Sequence, residues 1–84
     1  MKAGTKIEVP VEVRSRNGKG WHQVYIEAYR TSYARVRVTR FRLTWDLGDG
    51  KWGRTGSWAH FHQAKDWVLF AADGTYNTGW RMKV

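Results

Sequence analysis

Arg35-Val-Arg-Val-Thr-Arg-Phe-Arg-Leu-Thr-Trp45 alternates side chain by side chain, and its reading decides what kind of fold this chain adopts. In an extended strand successive side chains point to opposite faces, so Arg35 and Arg37 project together while Val36 and Val38 project the other way. The apolar set then changes parity: Val36 and Val38 are even, but Phe41, Leu43 and Trp45 are odd. A β-bulge near Thr39-Arg40 would restore one apolar side and gather Arg35, Arg37, Arg40 and Arg42 on the other. Such a row of guanidinium groups, spaced roughly 6.6 Å apart, suits a phosphate backbone or an acidic protein surface.

Working back toward the N-terminus, Ile7, Val9, Val11 and Val13 alternate with polar residues, and Pro10, which has no amide hydrogen, predicts an edge strand. Asn17-Gly18 is a two-residue hairpin signal. Centred there, the hairpin sets Val13, Val11, Val9 and Ile7 opposite His22, Val24, Ile26 and Ala28. A connection through Thr31-Ser32-Tyr33, with Arg30 paired to Ala34, sets Ala28 opposite Val36 and Ile26 opposite Val38. The same registers place Glu8 opposite Glu27, an unfavourable like-charge pair.

Toward the C-terminus, Asp49-Gly50 predicts a turn into a returning strand over Trp52 to Trp58. Ser57 is a possible cap for a short helix carrying Trp58, Phe61 and Val68, whereas Trp67-Val-Leu-Phe70 reads as a buried strand over 67–72. Asp73-Gly74 and Asn77-Thr78-Gly79 are further turn signals, after which Trp80, Met82 and Val84 alternate. The expected fold is therefore mainly β: a single small antiparallel curled sheet, or partly open barrel, of five to six strands, with room for one short helix around 57–65. Its inner face would comprise Ile7, Val9, Val11, Val13, Val24, Ile26, Val36, Val38, Phe41 and Leu43, closed over by the C-terminal tryptophans.

At 84 residues the chain has room for one domain, 1–84, and a shallow core, which six Trp, four Tyr and three Phe help to fill. Cysteine is absent, which excludes disulfides and thiolate metal sites. The start, Met-Lys-Ala-Gly-Thr, leads into alternating Val and Glu, so the expectation is a cytoplasmic protein without leader or membrane span. The net charge of +8 is uneven: residues 1–45 hold ten Lys/Arg against three Glu, residues 46–84 five against four Asp. Nucleic acid, an anionic membrane and an acidic protein are the partners such a charge favours, against the plainer reading that it serves solubility.

On the expected registers, Trp21, Tyr25 and Tyr29 stand beside Arg35, Arg37, Arg40 and Arg42. Stacking platforms next to guanidinium groups fit single-stranded nucleic acid or RNA. The alternative is a small inhibitor or adaptor, of the viral or mobile-element kind, docking on an acidic surface of a host protein or ribonucleoprotein. Arg, Trp and Tyr dominate interface hot spots, which suits that reading too. A third reading, that the arginines reach to water from beneath a covering Trp-rich layer, gives the face a structural role only.

Other motifs carry less. Gly48-Asp-Gly50-Lys-Trp-Gly53 matches G-x-G-x-x-G in letters but sits at a hairpin turn, not between a parallel strand and a helix, so no dinucleotide is expected. His60-x-His62, with His22, has the makings of a zinc site, and the pair has the makings of an acid-base ribonuclease assisted by Glu27 or Asp66. Neither has a predicted cleft to converge in, so the expectation is a binding protein with no catalytic residues, no metal and no cofactor. Trp67-Val-Leu-Phe-Ala-Ala-Asp-Gly-Thr-Tyr-Asn-Thr-Gly-Trp80 resembles one unit of the choline-binding cell-wall repeats, in which aromatic residues flank an Asp-Gly hairpin and Thr-Gly-Trp closes the unit. In that family neighbouring repeats jointly form the ligand cage. The single copy here implies convergence on a Trp-braced hairpin over 67–80, not choline binding.

Overall fold

The computed structural model describes residues 1–15, 20–72 and 79–83. Strands β1 (Lys6–Arg14), β2 (Trp21–Tyr33), β3 (Val36–Gly48) and β4 (Lys51–Trp58) precede helix α1 (Phe61–Ala72), and β5 (Trp80–Met82) follows it. The five strands form one unclosed antiparallel sheet in the order β4-β3-β2-β1-β5. The helix covers one face of it, and the other face is open.

β1 and β2 pair as the Asn17-Gly18 signal predicts at their joined end, Val13 with His22 and Arg14 with Trp21. The turn itself lies outside the described residues. Past Glu12 the register shifts by two, because three residues, Val9 to Val11, bulge opposite Val24 alone. An even shift preserves facing, so Val9, Val11 and Val13 all stay buried. The shift also corrects the expected Glu8–Glu27 clash: Lys6 now stands opposite Glu27, and Glu8 opposite Tyr25. The bulge frees backbone carbonyls, which find donors. The Gln23 side-chain amide donates to the carbonyls of Val9 and Val24, and the Lys83 N–H donates to that of Pro10 at 2.9 Å. Pro10 thus occupies the bulge, and β1 is not the sheet edge as expected; β5 pairs along it.

The largest departure from expectation is the β2–β3 hairpin. Its two turn residues are Ala34 and Arg35, with φ of 51° and 68°, and Tyr33 pairs with Val36. Both turn residues are left-handed, the geometry that lets a two-residue turn follow the twist of its strands. The register is accordingly five residues away from the expected one: Ile26 faces Leu43 and Ala28 faces Phe41. Pairing between β2 and β3 is regular from Tyr25/Thr44 to Tyr33/Val36, so the bulge expected at Thr39-Arg40 is not there. The parity change in the sequence has another cause. Leu43, Phe41 and Trp45 face the helix, whereas Val36 and Val38 lie on the open side, and Val36 is 59% exposed. The β3–β4 pairing shifts twice: on β4, Thr55-Gly56 stand opposite Leu43 and the Thr55 hydroxyl accepts the Leu43 N–H at 3.1 Å, and on β3, Leu47 is the extra residue before the turn.

Residues 67–72, expected as a strand, belong to α1. Ala64, Val68, Ala71 and Ala72 are its buried positions, a helical stripe that the apolar run Trp67-Val-Leu-Phe70 conceals, while Leu69 and Phe70 point outward. The helix starts later than the expected Ser57 cap. Gln63 Oε1 accepts the His60 N–H at 2.9 Å, the reciprocal half of a capping box, and Ser57 belongs to β4. A Trp-braced hairpin over 67–80 is therefore not formed, since its first arm is helical; its turn, 73–78, lies outside the described residues. The tryptophans do close over the core, by ring contacts that run from Trp58 to Trp67, tilted, and on to Trp80 and Trp45, edge-on, at centroid distances of 5.3–5.7 Å. Beneath them lie Val11, Val24, Ile26 and Leu43, all fully buried. No helix among the described residues is long and apolar enough to cross a membrane.

Candidate nucleic-acid interface

Regular pairing along β3 splits the arginine row. Arg40 and Arg42 lie on the open face, opposite Tyr29 and Glu27; Arg37 lies on the helix side, opposite Ser32; Arg35 sits in the turn. The expectation of four guanidinium groups on one face is thus corrected, for want of the bulge that was to align them. Trp21, Tyr25 and Tyr29 share the open face with Arg40 and Arg42, as expected from their odd numbering.

Part of the charge on that open face is neutralised within it. All three glutamates of the chain stand on it, each with a cation. Glu27 Oε1 accepts from Arg42 Nε at 2.6 Å, and Lys6 Nζ is 3.6 Å from Glu27 Oε2. Glu12 takes Arg81 at 3.2 Å, and Glu8 takes Lys83 at 3.4 Å. The same cations cover rings. Arg42 lies over Tyr29 at 4.2 Å, Lys6 over Trp52 at 3.5 Å and Arg81 over Trp21 at 3.8 Å, while Tyr25 meets the Trp52 edge. Of the residues proposed as stacking platforms, Trp21 and Tyr29 therefore carry a guanidinium on one face already.

Of the cations without an ion pair among the described residues, Arg14 and Arg54 line the cleft at one end of the sheet, and the larger group collects at the far end of the hairpin. β1 reaches β2 only as far as Ala28, through hydrogen bonds with Gly4 and Thr5, and β4 ends opposite Phe41. Beyond those points, Tyr29–Tyr33 and Val36–Arg40 pair only with each other, a two-stranded ribbon of five residue pairs closed by Ala34-Arg35. From Ala28 to Trp45 the sequence holds five arginines and no Asp or Glu. Arg30, Arg35 and Arg37 are exposed, and among the described residues none of them has an ion pair. Arg40 is aimed by Ser57, whose hydroxyl accepts from its Nε at 2.9 Å, which leaves its charge unneutralised. Tyr33, 73% exposed, and Val36 form the last pair before the turn.

Arg30 and Tyr33 were not among the residues singled out from sequence. Both are brought to the site by the turn, and Tyr-Ala-Arg-Val carries no Gly, Asn or Asp to announce one. At the opposite end of β3 a cleft of about 490 Å³ is lined by Val13, Arg14, Trp45, Leu47, Trp52, Gly53 and Arg54. None of these is a proton-transfer or nucleophilic side chain. The His60 and His62 rings stack at 5.4 Å on exposed residues beside the helix start, and among the described residues no three of His, Cys, Asp and Glu gather as a metal site would need. No protein-family model, no curated protein and no solved structure matches the chain.

Proposed function

We propose that this is a non-enzymatic nucleic-acid-binding protein whose contact surface is the basic β2–β3 ribbon. The observation that carries the reading is the separation of charge within the fold. Each glutamate is spent on a cation of the open face, whereas Arg30, Arg35, Arg37 and Arg40 occupy a ribbon with no acidic residue. Cations concentrated on a protruding element attract a polyphosphate backbone more strongly than the same net charge spread over a surface. Arg42, Trp21, Tyr25 and Tyr29 remain in the proposal as the floor behind the ribbon, with Arg42 held by Glu27 as a secondary phosphate contact.

Anisotropy titration of a fluorescein-labelled oligonucleotide at two salt concentrations is the test. Binding at low salt that falls steeply with added salt supports the proposal, and no binding at low salt removes it. A second reading, docking on an acidic surface of a host protein or ribonucleoprotein, is favoured by the exposed Tyr33–Val36 pair between arginines, since aromatic and Arg side chains anchor protein interfaces. Affinity capture with and without nuclease separates the two: a stoichiometric protein partner that survives nuclease treatment favours docking.

A further inference from the structure

We infer that the ribbon is an arm that enters the major groove of double-stranded B-form DNA. This rests on the nucleic-acid reading above and specifies its ligand.

Shape is the first argument. Five paired positions at about 3.3 Å each extend the ribbon roughly 16 Å beyond its last sheet neighbours. The B-DNA major groove is about 12 Å wide and about 8.5 Å deep, and it admits a two-stranded ribbon. The ribbon is therefore long enough to reach the groove floor before the body of the sheet meets the backbone.

The distribution of charge is the second. Arg30 and Arg37 lie on the helix side of the ribbon, Arg40 on the open side and Arg35 at the tip. A single strand laid along the protein would meet one face only. A groove presents phosphates on both walls, so cations on both faces are each within reach of one.

The third argument is what the ring contacts leave available. Base stacking on Tyr29 or Trp21 competes with Arg42 and Arg81, which are themselves held by Glu27 and Glu12. Stacking on the covered face of those two rings needs the contacts displaced. The ribbon tip needs no such rearrangement. Tyr33 and Val36 are exposed there next to Ser32 and Thr31, apolar and hydroxyl groups suited to thymine methyls and base edges. Duplex RNA is excluded by the same geometry, because its major groove is too deep and narrow for side chains to read.

The experiment uses the whole chain and a labelled DNA duplex of about 20 base pairs at about 50 mM salt. Unlabelled DNA duplex, RNA duplex and single-stranded DNA of matching sequence compete for it. DNA duplex is expected to compete at a concentration at least about tenfold lower than the other two. Dimethyl sulfate should show protection at guanine N7, in the major groove, which Arg35→Ala with Arg37→Ala abolishes while circular dichroism stays unchanged. Equal or tighter binding of RNA duplex or single strand overturns the groove inference and leaves nucleic-acid binding standing. Protection confined to adenine N3, in the minor groove, overturns it as well. If the labelled duplex does not bind at all, the groove inference falls, and direct titration of labelled single-stranded DNA and labelled RNA duplex then decides the nucleic-acid reading, which falls only if neither binds.

Discussion

If four arginines of the ribbon each neutralise one phosphate, the salt dependence of binding is already set by the structure. Arg30, Arg35, Arg37 and Arg40 lie on one element without an acidic partner. Each phosphate contact on duplex DNA contributes a slope of about −0.9 in log affinity against log salt, so four give about −3.6. Raising salt from about 50 to about 200 mM then weakens binding about 150-fold. Arg35→Ala with Arg37→Ala removes two contacts, halving the slope to about −1.8 and the loss to about 12-fold over the same range. Both positions are exposed, so the fold is expected to survive. The control is Lys51→Ala with Lys65→Ala, which removes equal charge from the far turn and the helix. Fluorescence anisotropy at four or more salt concentrations gives the three slopes. Should the lysine pair lower the slope as much as the arginine pair, attraction is to net charge alone and the ribbon has no special part.

Three further outcomes follow from the packing. Ala34 sits at φ 51° without glycine or asparagine to ease it, so Ala34→Asn should relieve about 0.5–1 kcal/mol of left-handed strain and raise the thermal midpoint by several degrees; an unchanged or lower midpoint refutes strain at the turn. At Gly53 an added Cβ would lie 2.1 Å from Trp45 Nε1, with that indole backed by Trp80, and Gly53→Ala should cost about 2–3 kcal/mol in urea denaturation. Glu27→Gln frees Lys6 and Arg42 from their shared carboxylate; these pairs are partly exposed, so stability should fall by about 1 kcal/mol or less while DNA affinity at low salt rises, and weaker binding would argue against Arg42 as a secondary phosphate contact.

The sheet and the helix were unequally legible. Period-two apolar patterns in β1 and β2 and the turn signals at Asn17-Gly18 and Asp49-Gly50 are local properties, and they placed four strands. Asp49-Gly50 does form a turn, with φ of 54° and 72°. The helix was masked because Trp67-Val-Leu-Phe70 is apolar at every position, and a continuous run has no period to read. Its buried stripe of Ala64, Val68 and Ala71 shows only once the sheet is there to bury it.

For the site, sequence alone decided the chemistry: which residues are cationic, that no acid interrupts Ala28 to Trp45, and that tyrosines recur at every fourth residue along β2, on one face. Which arginines share a surface was left to the tertiary structure. A turn of Ala34 and Arg35 has no distinctive residues, yet moving it by a few positions reassigns every partner across the hairpin. The bulge in β1 acts in the same way, bringing Lys6 rather than Glu8 to Glu27 and so pairing the carboxylates with nearby cations. Side-chain identity travels with the chain, but register is a contest between whole strands, decided by which pairing buries Ile26 and Leu43 beneath the helix and leaves Arg37 in water.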